Sequence, residues 1–131
     1  MKSIAYHENI PIAGSYEIIV AGGGVAGVAA ALAAARSGKK VLLLEKSAML
    51  GGLATLGRIN LFVPMCNGRG KQIIYGMAEE LLRLSIRYGF DTIPEDWQAG
   101  DPGEKTKTRY LTRFSAAIFA LAMTEQIATE G

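Results

Sequence analysis

The stretch YEIIVAGGGVAGVAAALAAARSGKKVLLLE, residues 16–45, decides the fold. Tyr16 to Ala21 (YEIIVA) is rich in β-branched and aromatic residues and is apolar on both faces after Glu17, which predicts a buried parallel strand. Gly22-Gly23-Gly24 ends it. From Val25 to Ser37 the chain is almost wholly Ala and small apolar residues, a helix former of narrow profile that can lie close to a sheet. Gly38 is a natural helix stop, and Lys39-Lys40 place positive charge at the carbonyl end of that helix. Val41 to Leu44 (VLLL) reads as a second buried strand ending at Glu45. Strand, turn, helix and strand within about 30 residues make a βαβ unit.

Inside this unit lies Gly22-x-Gly24-x-x-Gly27, answered 18 residues later by Glu45. The motif follows a strand, opens a helix and meets an acid at the tip of the next strand, and that context is what makes it a dinucleotide fingerprint. Gly22 permits the tight turn, Gly24 lets backbone approach a pyrophosphate, and Gly27 lets helix and sheet pack closely. Unpaired amides at the helix start, near Val25 and Ala26, together with the helix dipole, supply an anion site. Glu45 can accept hydrogen bonds from the two hydroxyls of an adenosine ribose, and its charge repels a 2′-phosphate. Gly23, within the turn, and Lys46, beside the acid, complete the expected cofactor-contacting positions of this unit.

Composition narrows the remaining classes. The 131 residues suit one domain; half are apolar and 20% charged, which excludes wholesale disorder. Fourteen Lys and Arg against 12 Asp and Glu give +2, too little for a nucleic-acid footprint or a polybasic membrane tether. A single cysteine, Cys66, excludes an internal disulfide framework and a multi-cysteine metal site, so no metal is expected and a reducing, cytoplasmic setting is the default. Ile18 to Ala35 carries no charge over 18 residues, the length of a membrane span, but Ala and Gly dominate it and supply too little transfer energy. Glu8 and Glu17 sit where a signal peptide would be basic.

The fingerprint alone does not choose the dinucleotide. Glu45-Lys46 and then Leu50-Gly51-Gly52-Leu53-Ala54-Thr55 say more. With GGGVAGVAAALAAARSGKKVLLLEK at 22–46, the glycine pair with its Ala-Thr at 51–55 and, more loosely, GKQIIYGMAEELL at 70–82, the sequence resembles FAD-dependent oxidoreductases with a glutathione-reductase-like Rossmann domain. Within them it is similar to a group related to the A-type component of heterodisulfide reductase. The resemblance implies that Gly51, Gly52 and Thr55 shape a loop closing over the nucleotide, and it favours FAD over NAD. It would also bring Cys66 towards the flavin, so this thiol is the single candidate for a chemical role; a lone cysteine in an apolar run is more commonly a small core residue.

Beyond the loop the chain says less about chemistry. Leu61 to Cys66 (LFVPMC) is apolar, and Asn67 to Gly70 is a turn cluster. Ile73, Met77, Leu81, Leu84 and Tyr88 recur at helical spacing, predicting an amphipathic helix over 71–88 stopped by Gly89. Residues 91–104 read as loop, and 105–113 (KTKTRYLTR) as an exposed strand whose Lys105, Lys107, Arg109 and Arg113 form a solvated edge. Ser115 is a candidate N-cap, Phe114 and Phe119 have the spacing of a hydrophobic staple, and a last helix is expected from Ala116 to about Glu130. His7 stands in an N-terminal arm, 1–15, with no ligand-spaced partner.

The expected protein is therefore α/β: a partial Rossmann-like doubly wound domain, a βαβ unit plus two further helices with an incomplete sheet. Residues 16–131 would be the truncated N-terminal part of an FAD-binding domain acting on a small-molecule substrate. A missing C-terminal region or a partner chain would complete it, and the isolated chain is expected to be inactive. An NAD-binding dehydrogenase domain and a non-catalytic nucleotide-binding or interaction module needing a partner chain are the alternatives.

Overall fold

The computed structural model describes residues 2–67, 71–89 and 111–130. Its first unit is the βαβ: β1 (Ile18–Ala21), α1 (Val25–Arg36) and β2 (Val41–Leu44). The strands pair in parallel with Ile18 opposite Val41 and Ala21 opposite Leu44. Glu17 closes the base of the unit, its carboxylate accepting from Lys39 Nζ at 3.0 Å and from the Lys40 amide at 2.9 Å. The helix ends as the sequence predicts: Ser37 is the C-cap, Gly38 takes φ +73°, and the Gly38 and Lys39 amides return to the Ala35 and Ala34 carbonyls.

Among the described residues the remaining elements are a 3₁₀ turn (Gly52–Ala54), β3 (Leu61–Phe62), α2 (Met77–Ser85), β4 (Thr112–Arg113) and α3 (Ala116–Glu130). β3 and β4 form a short antiparallel pair, Leu61 opposite Arg113 and Phe62 opposite Thr112. The main core lies where the three helices meet: Val28 and Leu32 of α1, Leu81 and Leu84 of α2, and Phe119, Ala122 and Met123 of α3 are buried together with Phe114. The Phe114 and Phe119 rings lie 4.9 Å apart nearly edge to face, and Phe62 joins them at 5.4 and 6.0 Å. At the start of α3, Ser115 Oγ accepts from the Ile118 amide at 3.5 Å, so the predicted cap and staple both form.

Two expectations need correction. The strands of the βαβ unit are parallel but not buried: Ile19 is 60% and Leu44 49% exposed. Among the described residues α1 covers one face of this two-stranded sheet and nothing covers the other. The helix expected over 71–88 begins only at Met77. Residues 71–76 instead run back along 65–67, where the Ile73 and Ile74 amides donate to the Met65 carbonyl and Gln72 pairs with Cys66. The buried Gln72 amide then donates to the Ile74 carbonyl and to Glu79, and Gly76 at φ +69° turns the chain into the helix. Of the predicted strand over 105–113 only the end is described, and there Thr112 is buried while Arg113 is exposed. Residues 90–110, with the predicted loop, and 68–70 lie outside the described residues.

Among the described residues no helix is long and apolar enough to cross a membrane. Residues 2–15 form no helix or strand.

Candidate functional site

The carboxyl ends of β1 and β2 and the amino end of α1 converge on the glycine turn. Gly22 leaves β1 with φ +113°, a conformation that side-chain-bearing residues rarely adopt, while its amide still reaches the Leu44 carbonyl at 2.7 Å. Gly24 caps α1 with no side-chain hydrogen bond, and the first bond of the helix runs from the Val28 amide to the Gly24 carbonyl. The first-turn amides of Val25, Ala26 and Gly27 therefore have no partner within the helix, which leaves the positive end of a 12-residue helix facing the turn.

The three glycines of the motif differ sharply in their surroundings. A Cβ on Gly27 would lie 1.8 Å from the Gly22 carbonyl oxygen, so this position admits no side chain. A Cβ on Gly24 or on Gly22 would meet nothing within 4 Å. Absence of a side chain at Gly27 thus serves helix-to-turn packing, whereas at Gly24 it keeps open a space in front of the helix.

Glu45, at the end of β2, reaches back to the turn. Its Oε2 accepts from the Gly23 amide at 2.7 Å, and its Oε1 accepts from the Ser47 amide and hydroxyl, each at 2.7 Å. These donors, the Ser47 hydroxyl foremost, hold the carboxyl at about 2, far below its ordinary 4.5, so Glu45 is an anion at any physiological pH. A cavity of about 390 Å³ opens beside it, lined by Ala21, Gly22, Leu44, Glu45 and Lys46. This crevice outside the strand ends is where open α/β sheets take ligands.

The second glycine pair is brought to the same place. The Gly51 amide donates to the Gly23 carbonyl at 2.7 Å, and Gly51 pairs with Gly24 as an isolated parallel bridge. Gly51 takes φ +104°, and a Cβ there would lie 2.4 Å from Thr55 Cγ2 and 2.6 Å from Met123 Cε. Buried Thr55 donates its hydroxyl to the Leu50 carbonyl at 2.7 Å, tying the loop on itself. A Cβ on Gly52 would lie 3.2 Å from the Gly24 Cα. The structure therefore gathers Gly22, Gly23, Gly24, Val25, Ala26, Gly27, Glu45, Lys46, Gly51, Gly52 and, one step behind them, Thr55 at one end of the sheet.

Cys66 lies elsewhere, in a small cluster with Met65 and Leu82, and burial pushes its thiol pKa up. Three residues of the site region carry no sequence motif. Ser47 grips Glu45, Met123 backs the Gly51 turn from α3, and Arg58 is the one non-glycine residue at positive φ (54°) among those described. Arg58 lines a second cavity, of about 570 Å³, with Met49, Leu56, Asn60 and Phe114 at the start of α3. Ser47 is findable in the sequence as a hydroxyl two residues after the acid; the other two depend on tertiary packing. Among the described residues no three of His, Cys, Asp and Glu form a metal-holding group.

Compared with curated proteins and with solved structures, the chain matches none. The family comparison does find a match, and it spans the βαβ unit, the glycine-pair loop and all three helices. The chain belongs to the FAD dependent oxidoreductase family, whose model matches residues 17–130.

Proposed function

We propose that this chain is the FAD-binding portion of a flavin-dependent oxidoreductase. In this reading Gly22, Gly24 and Gly27 shape the turn, and the amides of Val25 and Ala26 hold the pyrophosphate at the positive end of α1. Glu45 receives the adenosine ribose in the crevice beside Lys46, while Gly51, Gly52 and Thr55 shape the loop over the nucleotide. The chemistry that FAD supplies when bound is hydride or electron transfer at its isoalloxazine ring; the protein binds and orients it.

The observation that carries the reading is the open space at Gly24. A Cβ there would meet nothing within 4 Å, although it sits between the Gly51 turn and the start of α1. A structural glycine in a closed turn would be hemmed in, as Gly27 is by the Gly22 carbonyl. Room for a group at Gly24, before helix amides that have no partner within the helix, with an anionic hydrogen-bond acceptor one strand away, fits a pyrophosphate and ribose joined in one ligand.

Finer parts of the reading rest on the same residues. The likeness of residues 22–46, 51–55 and 70–82 to the group related to the A-type component of heterodisulfide reductase supports placement beside it. The uncovered face of β1 and β2 supports a sheet completed by further protein, either more of the same polypeptide or a partner chain, with residues 1–15 as an arm outside it. Cys66, buried with Met65 and Leu82, acts in packing, and a reducing cytoplasm suits its thiol. Substrate oxidation or reduction would then need the completed domain.

Denaturing the purified protein and identifying the released nucleotide tests the proposal. FAD supports it; NAD in its place supports a dehydrogenase domain. Absence of both, with no binding of added FAD, overturns it.

A further inference from the structure

The cavity beside Arg58 has two walls. One is the loop that follows the glycine pair, with Thr55, Leu56, Arg58 and Asn60; the other is Phe114 with the start of α3. The Phe114 amide donates to the Asn60 carbonyl at 3.1 Å and holds the walls together. Successive amides brace the loop itself: Gly57 donates to the Gly52 carbonyl at 3.1 Å, Arg58 to Thr55 at 3.2 Å and Ile59 to Leu53 at 3.0 Å. Arg58 is held in this turn at φ 54°, an uncommon conformation for a long side chain.

Arg58 is the one charged residue among those lining the cavity. It forms no ion pair among the described residues, and the first turn of α3 holds no acidic residue. Met49, Leu56 and Phe114 give the cavity apolar surface, and its volume of about 570 Å³ is that of a small-molecule site. One guanidinium among apolar walls matches one carboxylate on an apolar body: the planar fork takes both carboxylate oxygens. A phosphate dianion would keep one negative charge unmatched. Thr55 belongs to both sites, since its side chain packs against Gly51 and it also lines this cavity.

We propose that this cavity holds the substrate, and that the substrate is a small monocarboxylate with an apolar body, paired with Arg58. This rests on the reading of the glycine turn as the FAD site and adds to it a substrate class.

The experiment is NMR titration of the protein, with and without FAD, using benzoate, hexanoate, their neutral amides benzamide and hexanamide, and inorganic phosphate. It is run on the wild type, Arg58→Gln and Arg58→Lys, beside a flavin fluorescence titration of each with FAD. At least one of the two acids is expected to shift the Leu56, Asn60 and Ala116 amide signals saturably and to bind about tenfold more tightly than its amide or phosphate. Arg58→Gln is expected to remove that preference, Arg58→Lys to restore part of it, and FAD affinity to be the same in all three proteins. No saturable shift with either acid, an acid bound no better than its amide or phosphate, or a preference that survives Arg58→Gln overturns the proposal. Loss of acid binding once FAD is bound also overturns it, because the cavity then belongs to the cofactor. An Arg58-dependent preference in a protein that binds no FAD overturns instead the flavin reading on which the substrate role stands.

Discussion

The carbonyl oxygen of Gly22 occupies the place where a side chain on Gly27 would begin, 1.8 Å from the ideal Cβ position. This contact ties the turn after β1 to the first turn of α1. Gly27→Ala must therefore displace backbone. Its cost should reach or exceed the ~1–3 kcal/mol usual for overpacking, read as a lower denaturation midpoint. An unchanged midpoint would contradict this account of the turn.

Arg36, Glu80 and Glu130 join the last turns of α1 and α3 to the first turn of α2. The guanidinium of Arg36 donates to Glu80 at 2.5 and 2.8 Å and to both oxygens of Glu130. All three side chains are partly solvated, so Arg36→Met should cost only about 1 kcal/mol, a few degrees in Tm. Hydrogen bonding to Arg36 lowers the pKa of both carboxyls from the ordinary 4.5. Their stabilising share is thus complete above about pH 4.5 and fades as the pH falls through the depressed values. As the pH is lowered from 4.5 the wild type should progressively lose its advantage over Arg36→Met; a difference that stays constant throughout acid titration would contradict the ion-pair origin.

Glu45 titrates at about 2, held down first by the Ser47 hydroxyl, then by the Ser47 and Gly23 amides. Because the folded value is depressed, whatever stability Glu45 contributes is present above the ordinary carboxyl range and is lost only as the pH falls towards 2. Carboxyl-carbon NMR should show Glu45 still ionised at pH 3 in the wild type, and titrating at higher pH in Ser47→Ala. Titration near 4 in the wild type would mean that the bonds to Gly23 and Ser47 do not persist in solution.

Cys66 is 8% exposed, and burial favours its neutral thiol. Iodoacetamide at pH 8 should modify it at least tenfold more slowly in the folded protein than in urea. Equal rates would show a reactive, accessible thiol and reopen a chemical role for it.

Much of this is legible in the residues. The βαβ unit can be read because its signals are local: glycines where the chain must turn, alanines where a helix must lie close, an acid at the next strand end. Ser115 with Phe114 and Phe119 announces the start of α3 for the same reason. The helix within 71–88 starts later than its spacing suggests, because Ile73 keeps helical spacing with Met77 while the conformation there is set by distant carbonyls, that of Met65 above all. The exposure of Ile19 and Leu44 is likewise hidden, since an apolar strand reads as buried whether or not anything covers it. Ser47 stands two residues after the acid in the sequence, but its role shows only once its hydroxyl is seen 2.7 Å from Glu45.

The most direct test of the central claim compares FAD binding and stability in the wild type and Gly24→Ala. Gly24 has φ −64° and ψ 173°, which any residue adopts, and a Cβ there meets no protein atom within 4 Å. Thermal melting should therefore change little, by no more than about 1 kcal/mol, because only the space in front of the helix amides is filled. Flavin fluorescence titration should show FAD binding to the wild type and at least a tenfold loss in Gly24→Ala. Equal FAD affinity in the two proteins would contradict the assignment of the glycine turn as the pyrophosphate site.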